Sequence, residues 1–202
     1  MTSGFDVLCV GFACYDLTFS IDRHLGPDEK GRATGLIGCG GGLAANAAVT
    51  AARLGSRTGF AGYLGNDLYG DAHLAEFHES GVDTSLVLRG DPPTSLSAIL
   101  VKPDGARTLV NYQQALPQLA ANAIDLTTTP VGALLFDGHQ RSLAIPLLAQ
   151  SRQLGIPTVL DADSVNEGTT SLMGLVEFLV TSERFAQQFT GGEDSLDGAI
   201  AL

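Results

Sequence analysis

The sequence predicts an α/β fold built on a doubly wound, mainly parallel sheet with a small β lid. Short apolar runs bounded by glycine alternate along the chain with alanine- and leucine-rich segments of helical character, which is the strand–helix order of a parallel sheet. Segments near residues 15–37 and 95–112 interrupt that order with period-two alternation, the pattern of half-exposed flap strands rather than of a buried sheet. Nothing in between has the composition of a linker or a repeat, so residues 1–202 read as a single domain carrying lid segments.

Residues 5–12 form an apolar run ending in glycine and suit a central strand buried on both faces. Residues 15–22 place Leu17, Phe19 and Ile21 on one face, residues 26–31 are a loop, and residues 33–37 return as a second flap strand. Residues 38–42 are a glycine-rich opening to an alanine-rich helix over 43–54 that stops at Gly55. A strand over 57–64 and a helix over 68–80, stopped by Gly81, follow. Residues 82–88 and 95–101 read as strands, and Pro103-Asp-Gly-Ala106 is a tight turn into a strand over 107–112. Beyond a polar stretch come a buried strand over 131–136, a helix over 141–154 containing Pro146, and a strand over 156–160. A short helix over 171–174, a strand over 177–180 and a helix over 182–189 closed by Gly191 and Gly192 complete the pattern.

Composition narrows the function. The chain has 202 residues, 45% of them hydrophobic and only 16% charged, which excludes disorder. Acidic residues outnumber basic ones 22 to 11, so no basic stripe exists to neutralise a nucleic-acid backbone. Lys30 and Lys102 are the only lysines, so phosphate chemistry would fall to arginine, helix N-termini or a metal. Cys9, Cys14 and Cys39 are odd in number and lack C-x-x-C spacing, which reads as reduced thiols in a cytoplasmic, reducing compartment. Residues 1–6 carry no basic leader, and no apolar run reaches membrane-spanning length.

The strongest local signal is Gly40-Gly41-Gly42-Leu43-Ala44-Ala45-Asn46. Glycines at a loop-to-helix junction let a ligand approach the backbone, where the first helix amides are free donors. Asn46, one turn in, offers a donor and an acceptor to a polyol, or satisfies the backbone of a tight turn. Asp16 follows the first buried strand, where open α/β sheets place ligands. It reads as an acceptor for sugar hydroxyls or as a turn aspartate. Gly40-x-Gly42-x-x-Ala45 matches a dinucleotide fingerprint only formally, because it follows a flap and not the first strand. That match alone supports a nicotinamide-dependent oxidoreductase. No G-x-x-x-x-G-K-[ST], H-E-x-x-H or G-x-S-x-G exists, which removes Walker-type nucleotide enzymes and two hydrolase classes. His73 and His78 read as solvated on a surface helix, and His139, after a strand end, as a loop histidine or as a group lining the cleft. Asp161 and Asp163 read as helix caps, or as groups facing a nucleotide or metal.

Four ordered blocks resemble the ribokinase-like (PfkB) carbohydrate kinases. They are Gly41-Gly42-x-Ala44-Ala45-Asn46-x-Ala48 with Ala52-Arg-Leu-Gly55, Gly62-Tyr-Leu-Gly-Asn-Asp-Leu-Tyr-Gly70 with Glu79-Ser-Gly-Val-Asp-Thr84, Pro93-Thr94, and Asp104-Gly-Ala-Arg107-Thr108. Leu116-Pro117 and Ser182-Glu183 lean toward the ketohexokinase-like branch. The resemblance implies a Rossmann-like domain with a β lid, and transfer of the ATP γ-phosphoryl group to a sugar or sugar-like hydroxyl with Mg²⁺. It implies that Asp16, Gly41, Gly42 and Asn46 hold the acceptor, that Arg107 of the lid lies near the ligands, and that Ser182 and Glu183 lie on the nucleotide side. A homodimer through the lid is implied as well. The family's G-A-G-D segment, source of the anion hole and the aspartate base, is not among these residues. The expectation is therefore an N-terminal part whose base lies beyond Leu202, or else a non-catalytic sugar-binding or dimerisation remnant of the fold.

Overall fold

The computed structural model describes residues 4–191. The first strand, β1 (Phe5–Gly11), leads into two lid strands, β2 (Cys14–Ser20) and β3 (Gly35–Gly41). Then follow α1 (Leu43–Arg53), β4 (Thr58–Gly65), α2 (Leu68–Glu79) and β5 (Val82–Gly90). The lid is completed by β6 (Ser95–Val101) and β7 (Arg107–Tyr112). The chain returns to the main sheet through β8 (Val131–Phe136), α3 (Arg141–Leu154), β9 (Thr158–Ala162), α4 (Glu167–Leu172), β10 (Phe178–Thr181) and α5 (Glu183–Thr190).

The main sheet has six strands in the order β10-β9-β8-β1-β4-β5. Every neighbouring pair in it is parallel, as the alternating strand–helix order predicts. Period-two alternation along β1 divides the core in two. Leu8 and Val10 pack with Phe136, Leu147 and Phe185 on one face, and Cys9 packs with Phe60, Leu64 and Phe77 on the other. The alanines of α1 account for its close seat on the second face. Ala44, Ala45 and Ala48 are buried, and no longer side chain holds the helix off the strands. Among the described residues no helix is long and apolar enough to cross a membrane.

The lid is a separate four-stranded sheet in the order β3-β2-β6-β7. It is mixed rather than antiparallel: β2 runs antiparallel to β3 but parallel to β6, and β6 and β7 form the hairpin. Its second strand runs further than the sequence predicts. Gly38 to Gly41 are strand residues paired along β2 and not a loop, and Gly42 alone makes the turn into α1. The short helix also lies earlier than predicted, because Asn166 forms a complete capping box with Thr169.

His73 is a clear departure from the sequence reading. It is 2% exposed, because Gly70, His73 and Phe77 share the inward face of α2, and its ring lies 4.3 Å from that of Phe77. Only His78 is exposed, with Nε2 2.8 Å from Thr84 Oγ1. The decisive comparison for His73 is with Phe77 at i+4.

Asp67 ties the lid to the main sheet. Its carboxylate accepts hydrogen bonds from Gly70 N at 2.8 Å, closing the N-terminus of α2, and from Thr94 N at 2.7 Å and Thr94 Oγ1 at 2.8 Å, at the entrance to β6. Asp67→Ala should remove both anchors and lower unfolding stability by roughly 2–4 kcal/mol. Chemical denaturation checks this, and a change below about 0.5 kcal/mol would mean that the cap does not couple the lid to the sheet.

Candidate functional site

The site is organised around a buried carboxylate. Asp137 stands just past the C-terminal end of β8, next to β1, and is fully buried. Its Oδ2 accepts from Phe12 N at 2.8 Å and from Ala44 N at 3.1 Å. Its Oδ1 accepts from His139 N at 3.0 Å and faces His139 Nδ1 at 3.2 Å. One side chain thus holds the strand end, the crossing from main sheet to lid, and the first turn of α1. Gly11 makes room for it, since a β-carbon there would overlap the carboxylate.

This arrangement corrects the expectation of free amides at the start of α1. Gly42, the N-cap, has no side chain with which to cap the helix, so Asp137 supplies an acceptor from across the sheet. The amide of Ala45 is also occupied, by Phe12 O at 3.4 Å. Gly42 has φ +107°, and a β-carbon there would overlap Phe12 O, so glycine is required on both counts.

Asp16 lies within β2 rather than after β1, and its side chain is half-buried. It rests on Gly41, where a β-carbon would collide with its carboxylate, and Cys14 Sγ approaches its Oδ1 at 3.4 Å. Asp16, Gly41 and Gly42 are therefore brought together where the lid joins α1. Asn46 sits at the fourth position of α1, exposed, its backbone N–H donating to Gly42 O at 2.8 Å. Behind this strand pair, Glu76 of α2 accepts from Gly40 N, and the His73 ring occupies the space where a Gly40 side chain would be. His73 Nδ1 is buried without a hydrogen bond, and burial drives its pKa down to about 4. His139 behaves oppositely. Burial pulls its pKa down, but the hydrogen bond and charge of Asp137 outweigh this and the net shift is upward. Its ring stacks on Phe12 with centroids 4.7 Å apart.

Other expected residues stand apart. Strand register aligns Asp16 with Ser97 and Ser97 with Asn111, whereas Arg107 pairs with Val101, level with Ser20. Arg107 is thus four residues along β7 from the Asp16 row, on the order of 13 Å. Ser182 and Glu183 start α5, beyond β10 at the edge of the main sheet. The Ser182 hydroxyl accepts from Phe185 N at 3.1 Å and donates to Asp163 O at 2.8 Å, and Glu183 accepts from Gln187 Nε2 at 3.2 Å. Helix capping thus engages Ser182, not Asp163, while Asn166 caps α4. Asp161 is half-buried, and burial, then the charges of Asp137 and Asp163, raise its pKa. Among the described residues no three His, Cys, Asp or Glu side chains converge on a metal position. A cavity of about 450 Å³ lies at the far end of the lid between Phe19, Leu25 and Arg32, away from these groups.

Comparison with known proteins follows the same lines. The family model for pfkB family carbohydrate kinases matches residues 5–202. A ketohexokinase of Mus musculus is 32% identical over 127 residues, covering 60% of this chain and 42% of its own length. A ribokinase of Staphylococcus aureus (strain COL) is 25% identical over 195 residues, covering 92% of this chain and 63% of its own. The chain thus spans about half the length of these relatives. The structure of Arabidopsis thaliana ribokinase complexed with ribose and ATP superposes with a TM-score of 0.78, covering 98% of this chain and 68% of that one. At 22% identity, this likeness shows the fold.

The buried histidine makes stability depend on pH. An unfolded histidine titrates near 6.5, whereas His73 in the fold titrates near 4. Between those values the unfolded chain binds more protons, so stability falls as pH falls, by about 3 kcal/mol in all. His139, with its pKa raised, contributes in the opposite direction. His73→Gln should flatten the acid side of the stability profile between pH 6.5 and 4; an unchanged slope would mean that His73 is protonated in the fold.

Proposed function

We propose that this chain, which belongs to the pfkB family of carbohydrate kinases, is the acceptor-holding part of an enzyme that transfers the γ-phosphoryl group of ATP to a hydroxyl of a sugar or sugar-like polyol. The observation that carries the reading is the convergence of Asp16, Gly41 and Gly42 beside the N-terminus of α1. A carboxylate is an acceptor-only group and suits adjacent hydroxyls, which donate. Gly41 and Gly42 let the lid strand and the helix start come close to the Asp16 carboxylate and to Phe12, which fixes Asp16 at this junction. Asn46 offers both hydrogen-bonding roles on the adjoining turn of α1.

Phosphoryl transfer asks the protein chiefly for positioning and charge stabilisation. The described residues serve the first of these. Asp16 orients the acceptor, and Asp137 keeps β1, the lid crossing and α1 in fixed relation. Mg-ATP, when bound, supplies the phosphoryl group. In this reading Ser182 and Glu183 mark the nucleotide side, and the base and anion hole lie outside residues 4–191. The lid edges expose Leu36 and Ile37 on β3 and Leu109 and Val110 on β7, which supports a homodimer through the lid.

A second reading, a sugar-binding or dimerisation module without turnover, draws on the commitment of the Ser182 hydroxyl to the cap of α5. Ligand-induced thermal stabilisation with a sugar panel, alongside an ADP-release assay with ATP, separates the two. Asp16→Ala should weaken acceptor binding at least tenfold while leaving the melting temperature of the free protein within about 2 °C. Equal acceptor affinity in the variant would remove Asp16 from the site. Stabilisation without ADP release would favour the binding module.

A further inference from the structure

The face of the lid opposite Asp16 carries a site of its own. Alternation along β2 and its continuation sends Phe19 and Ile21 to that opposite face, and Leu100, paired with Phe19, joins them from β6. Residues 22–34 fold back over these side chains instead of making a short turn into β3. Both ends of the loop are pinned, by Ile21 N donating to Val101 O at 2.9 Å and by Thr34 N donating to Ser20 O at 2.8 Å. Its middle is closed on itself, because the Arg23 guanidinium pairs with the Glu29 carboxylate and Gly26 N donates to the same carboxylate at 3.0 Å. Leu25 lies directly on Gly31, where a β-carbon would meet its side chain. The loop therefore roofs a cavity of about 450 Å³, a volume in the range of small-molecule sites.

We propose that this cavity binds an amphipathic anion, an aliphatic chain that ends in one carboxylate. Its walls are apolar, from Phe19, Ile21, Leu25 and Leu100, and give the hydroxyls of a sugar no partner. Its rim is cationic. Lys30 and Arg32 line it, and among the described residues neither has a hydrogen bond or an ion pair. Arg23 is committed to Glu29, so the mouth presents two free cations against one carboxylate, Asp22. That balance of one positive charge matches a carboxylate rather than a phosphate monoester, which carries about −1.5 to −2 at neutral pH. The planar guanidinium of Arg32 can engage both carboxylate oxygens, and Lys30 adds a point charge. In a chain where acids outnumber bases 22 to 11, five of the bases gather at this end of the lid: Arg23, Lys30, Arg32, Lys102 and Arg107. Ile21 is five residues from Asp16 along the strand, roughly 16 Å, and on the other face, so the site is distinct from the acceptor site and independent of the kinase reading.

Calorimetry on the full chain with octanoate, butanoate and 1-octanol tests this. Octanoate should bind saturably and at least tenfold tighter than butanoate, which keeps the head and loses half the chain, each buried methylene being worth about fourfold. It should also bind at least tenfold tighter than 1-octanol, which keeps the chain and loses the charge. Arg32→Gln should weaken octanoate at least tenfold and Lys30→Gln at least threefold, and the double variant should hold it no tighter than 1-octanol. Leu25→Asn should weaken octanoate as well, through the chain. Asp16→Ala should leave its affinity within twofold. Lys30 and Arg32 are exposed, so their variants keep the fold, and an unchanged melting temperature verifies this. Octanoate binding no tighter than 1-octanol would mean an apolar cleft without a head-group site, and binding no tighter than butanoate would mean surface charge alone; either result refutes the proposal. Loss of octanoate binding in Asp16→Ala would move the ligand to the acceptor face and refute it too. Octyl phosphate binding tighter than octanoate would overturn the assignment of a carboxylate head.

Discussion

The carboxylate of Asp137 is the interaction on which the rest of this structure depends. A parallel sheet can hand its chain to a lid only if the crossing peptide and the following helix start are both held, since each exposes unpaired amides. One buried side chain satisfies Phe12 N at the crossing and Ala44 N at the helix start. A glycine N-cap that could not hold its own helix is thereby made tolerable. An unpaired amide buried at either place would cost on the order of 1–3 kcal/mol.

Close approach is the second constraint. Gly11, Gly41 and Gly42 each stand where any β-carbon would meet Asp137, Asp16 or Phe12. Their role is therefore steric as well as conformational: they let two carboxylates and a helix terminus share one small region. The lid contributes by its register, which arranges polar side chains from three strands in a line beside Asp16. On the opposite side, α2 buttresses the same strands through His73 and Glu76, so the surface bearing Asp16 has a rigid backing.

Much of the fold was legible from sequence because the core strands and helices obey simple periodicities. Burial on both faces produced the apolar run of β1, and glycine stops closed α1, α2 and α3 near the predicted ends. Legibility failed where a contact from afar replaced a local signal. Residues 38–41 have a loop's composition, yet pairing with β2 makes them strand. His73 has a polar side chain on a helix with charged neighbours, yet the lid covers it.

By itself the sequence determined the α/β order, the presence of two lid segments, and the glycine-rich run that leads into α1 with Asn46 one turn in. These depend on spacing along the chain, and local steric and hydrophobic rules act at that range. Tertiary structure alone decided the role of Asp137, the row formed by Ser97 and Asn111, and the separation of Arg107 from Asp16. The hydrogen bonds of Asp137 join residues as far as 125 positions apart, and strand register is settled by pairing between whole strands. Neither is encoded in any short stretch of chain, because a buried carboxylate finds its partners, and a strand its neighbours, only when the sheets close around them.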